Sequence, residues 1–332
     1  MQGVVAGVDV GGTRIKVGLA DSSGRLLSCE VLETRRCRDA ESFLETIAGE
    51  IGKQANAAAA SARVAAVGIG CPGRIDFASG KVVWLKSKLE FLEGVPLAVR
   101  LRDRLGCPVV CDNDVNTILA GEMRFGAGQG YRDVAGVTVG TGIGGALVLR
   151  GCLVRGRNWA AGHFGYMSHD PWGPRHVCGN TGIVEEHASH SGILCQLRRA
   201  LEAGEASVLT ESLARGEEPG LREVFEAADA GDPLGCRLAD RLYVSSACSS
   251  PILSTRSTPN SFWWEGASSP TAPVSSMPSG ARWRRGSTTC HRTPRRSYRW
   301  RWGTPRACWV AWLWGWMPSL EWLGPEWPRR RK

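Results

Sequence analysis

The stretch Gly7–Asp21, GVDVGGTRIKVGLAD, decides how this chain reads. Two apolar, β-branched runs, Val4 to Val10 and Arg14 to Ala20, flank Gly11-Gly12-Thr13, the pattern of two strands joined by a tight turn. The first run delivers Asp9 to that turn. There Gly11 and Gly12 carry no side chain to keep phosphate oxygens away from backbone N–H groups, and Thr13 adds a hydroxyl. Asp9 could hold Mg²⁺ directly or through water, and Lys16 or Arg14 could offset phosphate charge. A plain Asp/Gly hairpin turn accounts for the same residues, so the rest of the chain has to decide.

Working outward, Asp21-Ser22-Ser23-Gly24 is a second turn, followed by a strand-like run from Arg25 to Glu33. Phe43, Leu44, Ile47 and Ile51 share one face of a helix, and Val64 to Gly70 reads as a further strand. After a helix near Asn116 to Arg124, Val134 to Val139 and Ala146 to Leu149 make a second strand-turn-strand. Two hairpin-led α/β halves suggest an internal duplication, although the sequences look too different for a repeat. The second turn lies in VTVGTGIGGALVL, with Gly140, Thr141, Gly142, Gly144 and Gly145 as candidate phosphate contacts. Gly140-x-Gly142-x-x-Gly145 and Gly68-x-Gly70-x-x-Gly73 match the dinucleotide fingerprint literally, but neither opens a helix. A Walker Gly-Lys-Ser/Thr loop is absent. Two glycine turns clasping one nucleotide from two domains is the better mechanical reading. Between them CDNDVN, Cys111 to Asn116, opens a helix. Its Asp112, Asn113 or Asp114 suits a helix cap; alternatively Asp114 accepts a substrate hydroxyl proton while Asn113 holds a neighbouring hydroxyl.

The 332 residues suffice for two domains. The start lacks the basic region and apolar run of a signal peptide, and no segment approaches the roughly 18 apolar residues of a membrane span, so a soluble cytoplasmic protein is expected. Twelve scattered cysteines form no Cys-x-x-Cys pair, which argues against a disulfide framework or a zinc ribbon. The net charge of +9 hints at nucleic acid, but residues 1–243 carry 27 Lys+Arg against 29 Asp+Glu, and residues 244–332 carry 14 against 3. The basicity belongs to the tail alone, so no nucleic-acid or membrane partner is expected of the body.

That tail also holds eleven of the fourteen tryptophans and sustains neither helical nor strand periodicity. Because Trp is always TGG, Phe262-Trp263-Trp264-Glu265-Gly266 must be encoded TTY TGG TGG GAR GGN. Read two nucleotides later, the same DNA gives Leu-Val-Gly and then Gly or Arg, and Pro259-Asn260-Ser261 permits Glu-Leu-Val before it. The same offset turns CWVAWLWGWM, Cys308 to Met317, into a largely apolar run. A frameshift between about Asp240 and Pro251 accounts for both. The competing reading is a genuine Trp/Arg surface for membranes or single-stranded nucleic acid.

The order Asp-x-Gly-Gly-Thr, GIGCPG (Gly68 to Gly73), Asn-Asp and Gly-Thr-Gly-x-Gly-Gly resembles the ROK family of sugar kinases and sugar-responsive repressors, over residues 4 to about 240. The resemblance implies an α/β, actin/hexokinase-like (ribonuclease H-like) two-domain ATPase fold. An N-terminal domain would cover 1–116 and a second domain 117–243, its lobe incomplete; 244–332 would be an out-of-frame tail, expected to be disordered. It also implies Asp114 as catalytic base, Gly73, Asn113, Asp114, His163, Tyr166 and Glu185 around the sugar, and Asp9 to Lys16 with Gly140 to Gly145 on ATP and Mg²⁺.

The chain departs from the family at His163-Phe164-Gly165-Tyr166, where Glu-x-Gly-His is usual. A histidine in place of the glutamate can still bond a sugar hydroxyl; Tyr166 in place of the zinc histidine is the more damaging change. In the family's Cys-x-Cys-Gly-x-x-Gly-Cys the matching residues are His176, Cys178 and Ile183. His176 and Cys178 remain as zinc ligands where four are needed, unless His163 or His169 joins them. Lys88 stands nearest to where the family tends to place an Asn before GVPL, Gly94 to Leu97. The expected function is ATP-dependent phosphorylation of a hexose, glucose being the family's default, in a homo-oligomer. A repressor would need a DNA-binding domain before Asp9, for which there is no room. The third reading is an inactive product: as printed, the chain is expected to be insoluble or without turnover.

Overall fold

The computed structural model describes residues 3–21, 23–58, 63–86, 89–126, 128–216, 219–240 and 261–266. Strands β1 (Val4–Val10), β2 (Arg14–Ala20) and β3 (Leu26–Glu33) form an antiparallel meander, followed by α1 (Ala40–Ala58) and β4 (Val64–Cys71). A small hairpin, β5 (Arg74–Asp76) and β6 (Lys81–Trp84), precedes α2 (Leu97–Leu105) and β7 (Val109–Asn113). The first sheet has the order β3-β2-β1-β4-β7, with β4 and β7 parallel to β1. Phe43, Leu44, Ile47 and Ile51 of α1 are wholly buried with Ile15, Val17 and Leu19, as the 3.6-residue spacing requires.

Helix α3 (Asp114–Phe125) follows β7 without a break and leads to β8 (Val134–Val139), β9 (Ile143–Leu149) and β10 (Cys152–Leu153). A short 3-10 turn, Phe164–Tyr166, is followed by α4 (Val184–Ala188), α5 (His190–Glu202), α6 (Leu209–Ala214), α7 (Leu221–Asp229) and a helical stretch at residues 233–240. Val115, Leu119 and Met123 of α3 pack on Val134, Ala146 and Val148 of the second sheet, while its Ala120 meets Val5, Ala20 and Val110 of the first. One helix thus joins two separately cored sheets. No helix among the described residues is long and apolar enough to cross a membrane.

Strand β9 begins at Ile143 rather than Ala146, because Ile143-Gly144-Gly145 reads locally as a loop but pairs with Val139 to Val137 across the turn. The larger correction concerns the tail. Ser261–Gly266, expected to be disordered, forms β11, parallel to β8. The second sheet is then β10-β9-β8-β11, the topology of β3-β2-β1-β4. Once the strands are matched, Val5-Ala6-Gly7-Val8-Asp9-Val10-Gly11 aligns with Val134-Ala135-Gly136-Val137-Thr138-Val139-Gly140, identical at six of seven positions. The duplication is therefore visible in sequence, in a segment too short to detect before the strand ends are known. The remaining tail positions, CWVAWLWGWM among them, and Lys88 lie outside the described residues.

Candidate active site

Ligands of α/β sheets collect where parallel strands end, and β1, β4 and β7 end side by side. The register sets Asp9 beside Gly70 and Gly70 beside Asp112, bringing Asp9, Asp112, Asn113 and Asp114 to one sheet end. Gly70 lets α3 begin there: a Cβ on it would stand 2.6 Å from Thr117 Oγ1 and 3.4 Å from Asp114 Cα. Gly70→Ala is expected to push the first turn of α3 outward and cost about 1–3 kcal/mol. A denaturant melt identical to wild type would show instead that the turn can give way.

Asn113 is the cap of α3. Its Oδ1 accepts the N–H groups of Val115 (2.9 Å) and Asn116 (3.2 Å), and its Nδ2 donates to the Gly73 carbonyl (3.0 Å). Asp114, the first residue of the helix, accepts the Val115 N–H at 2.9 Å. Burial raises the Asp114 carboxyl above the ordinary carboxylate value. The Val115 N–H and the Asn113 side chain oppose the rise, and the Asp112 charge adds to it. Asp112 is 1% exposed; its Oδ1 accepts from Asn113 N–H (2.7 Å) and Asn116 Nδ2 (2.9 Å), and its Oδ2 from Arg155 Nε (2.8 Å).

The first glycine turn is held by Gly11 N–H donating to Arg14 O at 3.0 Å, and by Thr34, which donates through N–H to Thr13 O (3.0 Å) and through Oγ1 to Gly11 O (2.7 Å). Gly12 borders open space. Lys16 and Asp9 face each other across the hairpin with Nζ and Oδ2 3.4 Å apart, so the cation beside this turn already leans on the carboxylate.

In the second turn Gly140 N–H donates to Gly142 O at 2.9 Å. The start of α5 fastens it, His190 N–H donating to Gly140 O and Ser191 Oγ to Thr141 O, both at 2.9 Å. Gly144 lies against Val115 and Thr138, and Gly145 against Gly162 and Phe164, where a Cβ would overlap its neighbours. The absent side chains let this turn approach the residue after Asp114. Glu185, expected at the sugar, accepts the Ile143 N–H through Oε2 at 2.7 Å, which puts that carboxylate oxygen beside the second glycine turn. Burial raises the Glu185 carboxyl, with the Ile143 hydrogen bond and His176 opposing.

His163, Tyr166 and His176 form a stack, with centroids 5.7 and 5.6 Å apart. Trp84 meets Tyr166 edge-on at 5.8 Å, and the Arg74 guanidinium lies 5.3 Å from the Trp84 ring centre. Burial, helped by Arg74, lowers the His163 imidazole, and burial with the nearby Glu185 charge raises the Tyr166 phenol. His176 Nδ1 accepts the Cys178 N–H at 3.3 Å, and His169 meets His187 edge-on at 5.3 Å. No group of three or more His, Cys, Asp or Glu suited to a metal gathers among the described residues. His176 and Cys178 therefore do not make a four-ligand zinc centre: Tyr166 enters the stack as a ring that offers no nitrogen ligand.

Sequence reasoning missed Arg155, Arg74 and Trp84. The Asp112–Arg155 contact spans 43 positions, and nothing near Arg155 in sequence marks it. The sequence profile of the ROK family matches residues 5–252. The glucokinase of Thermotoga maritima is 33% identical over 236 residues, 71% of this chain and 73% of that protein. Among solved structures, a ROK family glucokinase from Streptomyces griseus in complex with glucose and AMPPNP is 33% identical, with a TM-score of 0.65 over 80% of this chain and 83% of that one. The ROK hexokinase from Thermus thermophilus is 30% identical, with a TM-score of 0.63 over 79% and 81%. The profile covers well over half of the chain, and with that the sequence motifs and the duplicated sheets have one explanation: the chain belongs to the ROK family.

Proposed function

We propose that the chain transfers the γ-phosphoryl group of ATP to a hexose hydroxyl, with glucose as the first candidate. The observation that carries the reading is that Asp114 opens α3 at the sheet end where Asp9, Gly70 and Asp112 stand in register, with Gly144, just after the second glycine turn, against the next residue, Val115. The similarity to glucokinases, one solved with glucose and an ATP analogue, supports it.

In this reading Asp114 takes the proton of the attacking hydroxyl, that oxygen bonds to the γ-phosphorus, and ADP leaves with the cleaved P–O electrons. Phosphoryl transfer passes through a loose transition state, so placement and charge neutralisation matter more than base strength. Asn113, bonded to Gly73, orients the sugar, and His163 and Tyr166 wall its site. The turns Gly11 to Thr13 and Gly140 to Gly145 face the phosphates, through amides other than those of Gly11, Gly140 and Ile143, which are bonded within the protein. Mg²⁺ characteristically takes one or two carboxylates plus phosphate oxygens; Asp9 at the first turn fits that donor set, and the ion would neutralise phosphate charge there. Zinc has no part in the reading. Residues after about 244 are read as out of frame in the printed chain.

The test is ADP formation with glucose, mannose and N-acetylated hexoses offered in parallel, the products identified by mass. Glucose phosphate is the expected product. ATP hydrolysis that ignores every sugar would sink the kinase assignment.

A further inference from the structure

Arg155 follows β10 in the second sheet, and Asp112 is the penultimate residue of β7, the edge strand of the first. Arg155 Nε donates to Asp112 Oδ2 at 2.8 Å, their side chains being 12% and 1% exposed. The guanidinium also lies 3.6 Å from the centre of the Phe77 ring, between β5 and β6. The other oxygen of Asp112 holds the Asn113 N–H and the Asn116 amide. One carboxylate thus ties the second sheet to both ends of the turn that carries Asn113 and Asp114. A buried charge without a partner is costly, so the pair cannot be broken silently, and two bonds to α3 leave the Asp112 carboxylate little freedom to turn.

We infer that Arg155 is a positioning residue: through Asp112 and Phe77 it fixes the Asn113–Asp114 turn relative to the glycine turn of the second sheet. Its effect on hexose binding rests on the kinase reading; its effect on the turn does not. Nothing places Arg155 on a substrate, so it acts only through Asp112.

Arg155→Met alone strands a buried carboxylate and risks misfolding. The informative pair is the unsubstituted protein against Asp112→Asn/Arg155→Met, both as the full chain. Neither protein buries one charge of the pair without the other, and the amide oxygen introduced by Asp112→Asn still accepts from Asn113 and Asn116. Hydrogen exchange at the Asn113 to Asn116 amides and glucose affinity are measured on both. The double substitution is expected to speed exchange at these amides selectively and to weaken glucose binding about tenfold, as small displacements of a binding group do. Equal exchange and equal affinity in the two proteins would overturn the proposal, as would faster exchange spread evenly over the chain, which marks a purely structural pair. If the unsubstituted chain binds no glucose but the local exchange difference is present, the kinase reading fails and the positioning role stands.

Discussion

Asp114→Asn, in a chain carrying the restored frame, is expected to lower hexose phosphorylation by about 10²–10⁴-fold, the usual contribution of a positioned general base. ATP binding should stay nearly intact, because the phosphate turns are held by Thr34, His190 and Ser191 and not by Asp114. The same variant is expected to be more stable than wild type at neutral pH. Burial raises the folded-state pKa of Asp114. Such a group favours the fold fully below its unfolded value, and that contribution is lost as pH rises through the folded value. Above that point the site keeps a desolvated charge, which asparagine removes, so the gain in melting temperature should shrink as the pH is lowered towards the ordinary carboxylate range. Wild-type kcat/KM should fall on the acid side at a pH above that range. Unchanged turnover in Asp114→Asn would take the base role from this residue.

The second large effect concerns the tail. Strand β11 occupies beside β8 the place that β4 occupies beside β1. A parallel strand covered on both faces reads as a continuous apolar run, as Ala66–Cys71 of β4 does with every position buried. In β11 the printed residues set Glu265 opposite Thr138, whereas the reading two nucleotides later puts Leu-Val-Gly across those positions. The family match also stops at 252, inside the change of composition. Resequencing the DNA for residues 235–260 is expected to find one nucleotide missing from the printed read, or two extra. Restoring it should raise hexose-dependent ADP release by about 10² or more, the scale of a misplaced site. A confirmed printed frame together with undiminished turnover would end this account of the tail.

The sequence was most legible where the pattern is local. Val4–Val10 and Arg14–Ala20 have the bounds that β-branched alternation implies, and the apolar face of α1 is the one marked by Phe43, Leu44, Ile47 and Ile51. Helix α2 was not read, since Leu97, Ala98 and Leu101 are its only buried residues among arginines. The site divides in the same way. Asp9, Asn113 and Asp114 stand out as candidates in the sequence because they sit beside a glycine turn or at a helix start. The attachment of Glu185 to the Ile143 amide, the Tyr166 stack and the Arg155 tether join positions far apart in the chain, and no local pattern records such contacts.

The most direct test is glucose-dependent ADP release at saturating ATP and Mg²⁺ by the purified frame-restored chain, with Asp114→Asn beside it. The expected result is ADP formed in step with a glucose phosphate, and slower by about 10²-fold or more in the variant. A folded protein that binds ATP but releases ADP at the same rate with and without sugar would contradict it.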